Sequence, residues 1–164
     1  MDFYEKMGVL AIESRLRRLT DRLIADDVKM YKLFGLDFKP KWFPLFATLM
    51  DNNPHMVTAI AKDTGLSHSS ISVMAKEMQK HGLLTATQGQ QDRRSTELML
   101  TDYGREQAMI MQRVMFVGER SFSRMLNNCT QNLLIALGEW ERMLDAKSLL
   151  ERIKEDKAEL EKIK

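Results

Sequence analysis

Cysteine occurs once, as Cys129, which excludes an intramolecular disulfide and any multi-cysteine zinc site. Proline is almost as scarce: Pro40, Pro44 and Pro54 are the only three. Four of the eight glycines punctuate the middle of the chain, at Gly65, Gly82, Gly89 and Gly104. The long stretches on either side, poor in breakers, favour helices. No apolar run reaches the ~18–20 residues that a bilayer span requires. The N-terminal Met-Asp-Phe-Tyr-Glu-Lys is acidic and amphipathic, unlike a secretory signal. An excess of one charge is lacking too: 25 Lys and Arg against 23 Asp and Glu leave +2, which by itself does not indicate a nucleic-acid partner. A soluble, cytoplasmic protein is expected. What is present is enough apolar material for a core: 44% hydrophobic residues in a chain of 164, with 29% charged, exclude a disordered or low-complexity chain.

The first segment, about residues 2–34, places Ile12, Leu16, Leu19 and Leu23 on one helical stripe, with Arg15, Arg17, Arg18 and Arg22 around it. The basic residues read as a solvated face or as intersubunit ion pairs. Gly35 and Pro40 end this helix. A short helix follows with Pro44 in its first turn and Phe43, Phe46, Leu49 and Met50 on its apolar side. Asp51-Asn52-Asn53-Pro54 is a loop. Toward the C-terminus, one helix is expected from Thr101 or Asp102 toward Asn127. A second starts near Thr130 with Leu133, Leu137, Trp140 and Leu144 in a stripe. Its apolar edge continues through Leu149, Ile153, Leu160 and Ile163 in a tail that, from Glu139, holds 8 acids and 7 bases. Long terminal helices with thin apolar stripes seldom bury themselves alone, so a homodimer exchanging terminal helices is expected.

Residues 57–101 differ in character. A short helix over 57–64, with Ile60 and Ala61 inward, is followed by Gly65 in a tight turn and by Ser67 as N-cap of a second helix. That helix runs to about His81, with Ile71, Met74 or Ala75, and Met78 inward, and Gly82 closes it. The arrangement is a helix-turn-helix. The outward face carries Ser67, His68, Ser69, Ser70, Ser72 and Lys76. Short hydroxyls let a helix lie close to a groove and bond phosphates or base edges. Two alternating runs, 83–87 and 96–100, then flank a polar loop containing Asp92, Arg93 and Arg94. Strand, loop and strand make a β-wing, whose tip arginine suits a narrow, electronegative minor groove. Asp92 is placed to orient a neighbouring arginine.

Gly65-Leu66-Ser67, the serine-rich helix, His81-Gly82-Leu83-Leu84, Asp92-Arg93-Arg94 and Leu100-Thr101-Asp102-Tyr103-Gly104 together resemble the winged helix-turn-helix of bacterial MarR-type transcriptional regulators. The match is tight over about residues 55–106 and extends loosely to the whole chain. The resemblance implies one subunit over 1–164, with dimerisation helices at 1–53 and 102–164 and the DNA-binding region at 54–101. The fold class is then mainly α with a small β-wing. It also implies recognition helices in adjacent major grooves of double-stranded DNA at a pseudo-palindromic promoter site, wings in the minor groove, and a small-molecule or redox switch. Carried over by position, Arg94 is the minor-groove arginine and Asp92 its orienting partner. The chain departs from many relatives at Val73 and at 85–87, where they carry Arg or Lys; residues 54–101 total 5 bases and 4 acids. Lys41-Trp42-Phe43-Pro44-Leu45-Phe46 is similar to regulators joined to an acetyltransferase domain, so a regulatory fragment of such a protein is an alternative reading.

Trp42, Phe43 and Phe46, with some of the 13 Met, are candidates for a ligand pocket, although core packing accounts for most such residues. Cys129 lies between two helices beside uncharged neighbours and reads as inert more readily than as a redox sensor. Asp51, His55 and Asp63, or His68 and His81, fit no regular metal spacing. No nucleophile–base pair, phosphate-binding Gly loop or metal signature points to an enzyme or a cofactor. The leading expectation is a homodimeric, sequence-specific DNA-binding regulator, a repressor, switched by a small ligand; the competing one is a winged-helix protein-interaction module without DNA binding.

Overall fold

A computed structural model describes residues 2–88 and 96–162. The elements run α1 (Phe3–Met7), α2 (Ile12–Leu33), α3 (Phe43–Thr48), β1 (His55–Met56), α4 (Val57–Thr64), α5 (His68–Lys80), β2 (Leu84–Gln88), β3 (Thr96–Leu100), α6 (Asp102–Asn127), α7 (Leu133–Ala146) and α8 (Leu149–Lys162). They group into two compact units, Met1–Phe116 and Val117–Lys164.

The core belongs to the first unit. Leu45, Phe46 and Leu49 from α3 and the turn after it meet Ile60 of α4, Ile71 and Met78 of α5, Leu84, Leu98 and Leu100 of the sheet, and Met111 of α6. An aromatic knot closes one end: Phe38 meets Tyr31, Trp42 and Phe46 edge-on at centroid distances of 5.1, 5.6 and 5.1 Å. Edge-to-face packing suits the ring quadrupoles and adds about 0.5–1.5 kcal/mol per pair beyond area burial. Trp42 and Phe46, candidates for a ligand pocket, are at 1% and 0% exposure members of this closed core. Phe43 packs against it half-buried.

The sheet is antiparallel in the order β1-β3-β2, with Leu84 opposite Leu100, Ala86 opposite Leu98 and Gln88 opposite Thr96. The sequence predicts β2 and β3 to within a residue. It does not predict β1, which pairs His55 with Leu98 and Met56 with Glu97. Two residues cannot show an alternating pattern; their strand character comes from β3 alone.

At the N-terminus the helix is interrupted. Gly8, at φ 51°, and a 3₁₀ turn over Gly8–Ala11 separate α1 from α2, and Arg18 of α2 sits over the ring of Tyr4, 4.7 Å from its centroid. In the second unit, α7 starts one turn of chain later than the sequence suggests, because Asn132 caps it by accepting from the backbone N–H groups of Leu134 and Ile135. The apolar edge beyond α7 is a separate helix. Ser148 and Glu151 cap α8 reciprocally: the Ser148 N–H donates to Glu151 Oε2 at 2.8 Å, and the Glu151 N–H donates to Ser148 Oγ at 3.3 Å.

The stripe of α2 stays largely uncovered among the described residues: Leu16 and Leu19 are exposed, with Ile12 and Leu23 half-buried. The α7 stripe Leu133, Leu137, Trp140 and Leu144 is exposed throughout. Among the described residues of the second unit none is buried. No helix of the described residues is long and apolar enough to cross a membrane.

Candidate nucleic-acid interface

The site is built around α5. Gly65, at φ 69°, ends α4 in the left-handed region and turns the chain so that Leu66 packs on the core. Ser67 then caps α5, accepting from the Ser70 N–H at 3.1 Å. At the far end Gly82, at φ 70°, permits a Schellman closure: its N–H donates to the Gln79 carbonyl at 2.9 Å, and that of Leu83 to the Met78 carbonyl at 3.0 Å. Ile71, Met74, Ala75 and Met78 bury one face, as their spacing predicts.

That closure also anchors the sheet. Thr101 donates its N–H to the Leu83 carbonyl at 3.1 Å and its hydroxyl to the Gly82 carbonyl, and accepts from the Gly104 N–H at 2.9 Å. One threonine thus joins the end of α5, the end of β3 and the start of α6. Gly104 is required beside it: a Cβ there would lie 1.9 Å from the Leu83 carbonyl oxygen.

The polar residues expected to share one outward face stand in three overlapping settings, a cap, a cleft and a ridge. Ser67 is committed to the cap, and its hydroxyl also bonds those of Ser69 and Ser70 at 2.9 and 2.8 Å. His68, Ser72 and Lys76 line a cleft of about 340 Å³ between α5 and the sheet, together with Gln79, Ala86 and Thr96. The outermost ridge is Ser69, Val73, Lys76 and Lys80, at steps of four, three and four, and all four are exposed. Lys80 was not among the expected contacts, because its place at the helix end hides that it continues the ridge. Lys76 and Lys80 make no ion pair with the described residues. Asp92, Arg93 and Arg94, expected at the wing tip, lie outside the described residues.

The third side of α5 carries an unpredicted anchor, Glu77. Its carboxylate accepts from Lys41 Nζ at 2.6 Å and from the Trp42 indole N–H at 2.9 Å, with Lys39 Nζ at 3.5 Å. The Lys41 and Trp42 hydrogen bonds hold its pKa down at about 2. His81, one turn on, meets the Trp42 ring at 4.8 Å and donates its Nδ1–H to the Glu77 carbonyl at 2.9 Å. The helix is therefore held by its apolar face, by both ends and by one polar flank. A second local staple precedes β1: Asp51 accepts from the Asn53 N–H and from His55 at 2.9 Å each. These bonds lower its pKa to about 2, the Asn53 backbone bond contributing most. Of the spacings considered for a metal, Asp51 and His55 do meet, but as a hydrogen-bonded pair. No group of three His, Cys, Asp or Glu that could hold a metal occurs among the described residues. Cys129 is exposed, and its thiol donates to the Met125 carbonyl.

Residues 36–95 match the model of the MarR family. No curated protein sequence matches the chain significantly. Among solved structures, the chain is similar to the transcriptional repressor CouR bound to a 23-mer DNA duplex: 25% identity, TM-score 0.63, covering 85% of this chain and 96% of that one. The fold is shared with BpsR of Bordetella bronchiseptica, whose DNA binding is regulated by 6-hydroxynicotinic acid (17% identity, TM-score 0.64, 88% and 96% covered). It is shared too with reduced AbfR bound to DNA (20% identity, TM-score 0.64, 88% and 98% covered). The capped helix α5, the antiparallel strands beside it and the long helices on either side agree with that match: residues 36–95 fit the MarR family model, and the described chain shares the winged helix-turn-helix fold of the DNA-bound transcriptional repressor CouR.

Proposed function

We propose that the chain works as a homodimer that binds a pseudo-palindromic site in double-stranded DNA and represses transcription by occupying a promoter. The observation that carries this reading is the ridge of α5. A helix held rigidly on every other side offers Ser69, Lys76 and Lys80 to solvent, beside a cleft lined by His68 and Ser72. Hydroxyls and lysines on a protruding helix suit base edges and phosphates in a major groove. The likeness to CouR, a repressor seen on a DNA duplex, supports the same ligand here. Arg94, oriented by Asp92, is assigned to the minor groove from the wing, with Arg93 on the phosphates.

Dimerisation is supported by the second unit. The helices α7 and α8, with no buried residue among those described, leave Leu134, Ile135, Trp140 and Leu149 uncovered, and exposed apolar faces of this kind mark protein–protein contacts. A second copy covers it by symmetry and doubles the DNA footprint. The regulator acts in the cytoplasm, with a small-molecule effector shifting it between binding and non-binding states, as 6-hydroxynicotinic acid regulates DNA binding by BpsR.

The test is binding of the purified protein to its own upstream DNA across a salt series. Affinity should fall steeply with salt, in proportion to the phosphates neutralised. Arg94→Ala should weaken binding at least tenfold while the dimer stays intact by light scattering. Unchanged affinity would remove the wing from the interface, and a flat salt response would favour a protein-interaction role instead.

A further inference from the structure

The ridge of α5 contains one residue that neither phosphate contact nor hydrogen bonding explains. Of the apolar side chains on this helix, Ile71, Met74, Ala75 and Met78 are buried, whereas Val73 is 55% exposed. It stands at the centre of the ridge, one turn after Ser69 and one before Lys76 and Glu77. It lies outside the core cluster, so burial does not explain its presence. As a β-branched residue it even costs helix propensity relative to alanine, as the serines around it do. A branched apolar group held out between a hydroxyl and two lysines has a natural counterpart in the major groove. Of the four bases only thymine presents an apolar group there, its C5-methyl. Lys76 and Lys80 on the same ridge would seat the helix against the flanking phosphates, and Ser69 would bond a neighbouring base edge or phosphate.

Resting on the DNA-binding reading above, we propose that Val73 is a specificity-determining residue that reads the C5-methyl of one thymine in each half-site. The two isopropyl methyls close over the thymine methyl and exclude water, so cytosine, which offers an amino group and no methyl at that edge, is rejected. The anchors described above make such a contact selective. The cap at Ser67, the Schellman closure at Gly82 and the clamp at Glu77 fix the rotation of α5, so the ridge cannot turn to present another side chain at that base.

The experiment uses the full chain and synthetic duplexes enriched by it from a pool with a randomised core. Each thymine of the enriched duplex is then replaced by uracil, which removes the C5-methyl and nothing else. With the unaltered protein, uracil at one position per half-site should weaken binding about fourfold, the worth of one buried methyl. Changing both half-sites should cost roughly fifteenfold, since the two contacts are far apart. With Val73→Ala, a substitution at an exposed helical site that favours the helix, the thymine and uracil duplexes should bind equally. The proposal is overturned if the unaltered protein is indifferent to uracil at every position, or if Val73→Ala keeps the full discrimination. If no duplex is enriched at all, the DNA-binding reading fails and this inference with it.

Discussion

Replacing Gly104 by alanine sets two effects of known sign against each other. In the first turns of α6, alanine should stabilise the helix by up to about 1 kcal/mol over glycine. Against that, the new Cβ would lie 1.9 Å from the Leu83 carbonyl oxygen and 3.3 Å from Leu100 Cβ. Restoring even a 3.0 Å approach means opening α6 from the Leu83 peptide by about 1.1 Å, the difference between the two distances. Leu83 cannot yield freely, since its carbonyl accepts from the Thr101 N–H and its N–H donates to the Met78 carbonyl at the end of α5. Overpacking against movable side chains costs about 1–3 kcal/mol. Here the obstacle is backbone, and the Thr101 hydrogen bond, worth about 1 kcal/mol, is strained as well. The clash should therefore win by about 2–3 kcal/mol. For a chain of this size each kcal/mol moves Tm by about 2–4 °C, so thermal unfolding followed by circular dichroism should show a fall of roughly 4–12 °C. Protein concentration must be held constant, because association shifts Tm by mass action. A Tm equal to or above that of the unaltered protein would mean that propensity had won, and would refute the close approach of α6 to Leu83.

Ser67→Ala should cost about 1 kcal/mol through loss of the α5 cap, read as a lower urea midpoint, while Ser67→Gly should recover most of it; equal losses in both would argue against a capping role. Glu77 has a lowered pKa of about 2 in the folded chain, so its contribution to stability is present above the ordinary carboxylate value of 4.5 and is lost as pH falls through 2. Acid unfolding of Glu77→Gln should accordingly be less steep between pH 4.5 and 2 than that of the unaltered chain, and parallel curves would deny the clamp. Tyr31, whose pKa burial raises to about 12, behaves in the opposite sense: its contribution is intact below pH 10 and lost as pH rises through 12. Tyr31→Phe should flatten the alkaline unfolding curve over that window.

The helix-turn-helix was legible because its signals are local. Gly65, Ser67 and Gly82 each act on backbone within a few residues, and the inward spacing of Ile71, Ala75 and Met78 is a property of one helix. The strands of the wing were legible for the same reason. What the residue order hides is long-range or shared. Glu77 reads as a surface acid until the fold brings Trp42 and Lys41, some thirty-five positions earlier, against it. The serines of α5 look like one polar face; only the rotation fixed by core packing separates the cap at Ser67 from the cleft at Ser72 and the ridge at Ser69. The break before α8 did carry a local signal, Ser148 followed by Glu151, which the run of apolar residues on either side obscured. The exposure of the α2 and α7 stripes could not be foreseen as geometry, although their thinness already pointed to a missing partner.

Under the proposed function, the corner at Leu83 bears on how the DNA target changes over evolutionary time. Because the end of α5, the base of the wing and the start of α6 are tied through Thr101 and the Gly82 and Leu83 carbonyls, tilting α5 would require rebuilding three elements together. Substitutions at 69, 73, 76 or 80 require nothing of the kind, since those side chains are exposed and lie outside the core cluster. On the proposed DNA-binding reading, new preferences are reachable one ridge position at a time at little cost in stability, and a rigid backbone becomes the condition for an adaptable code.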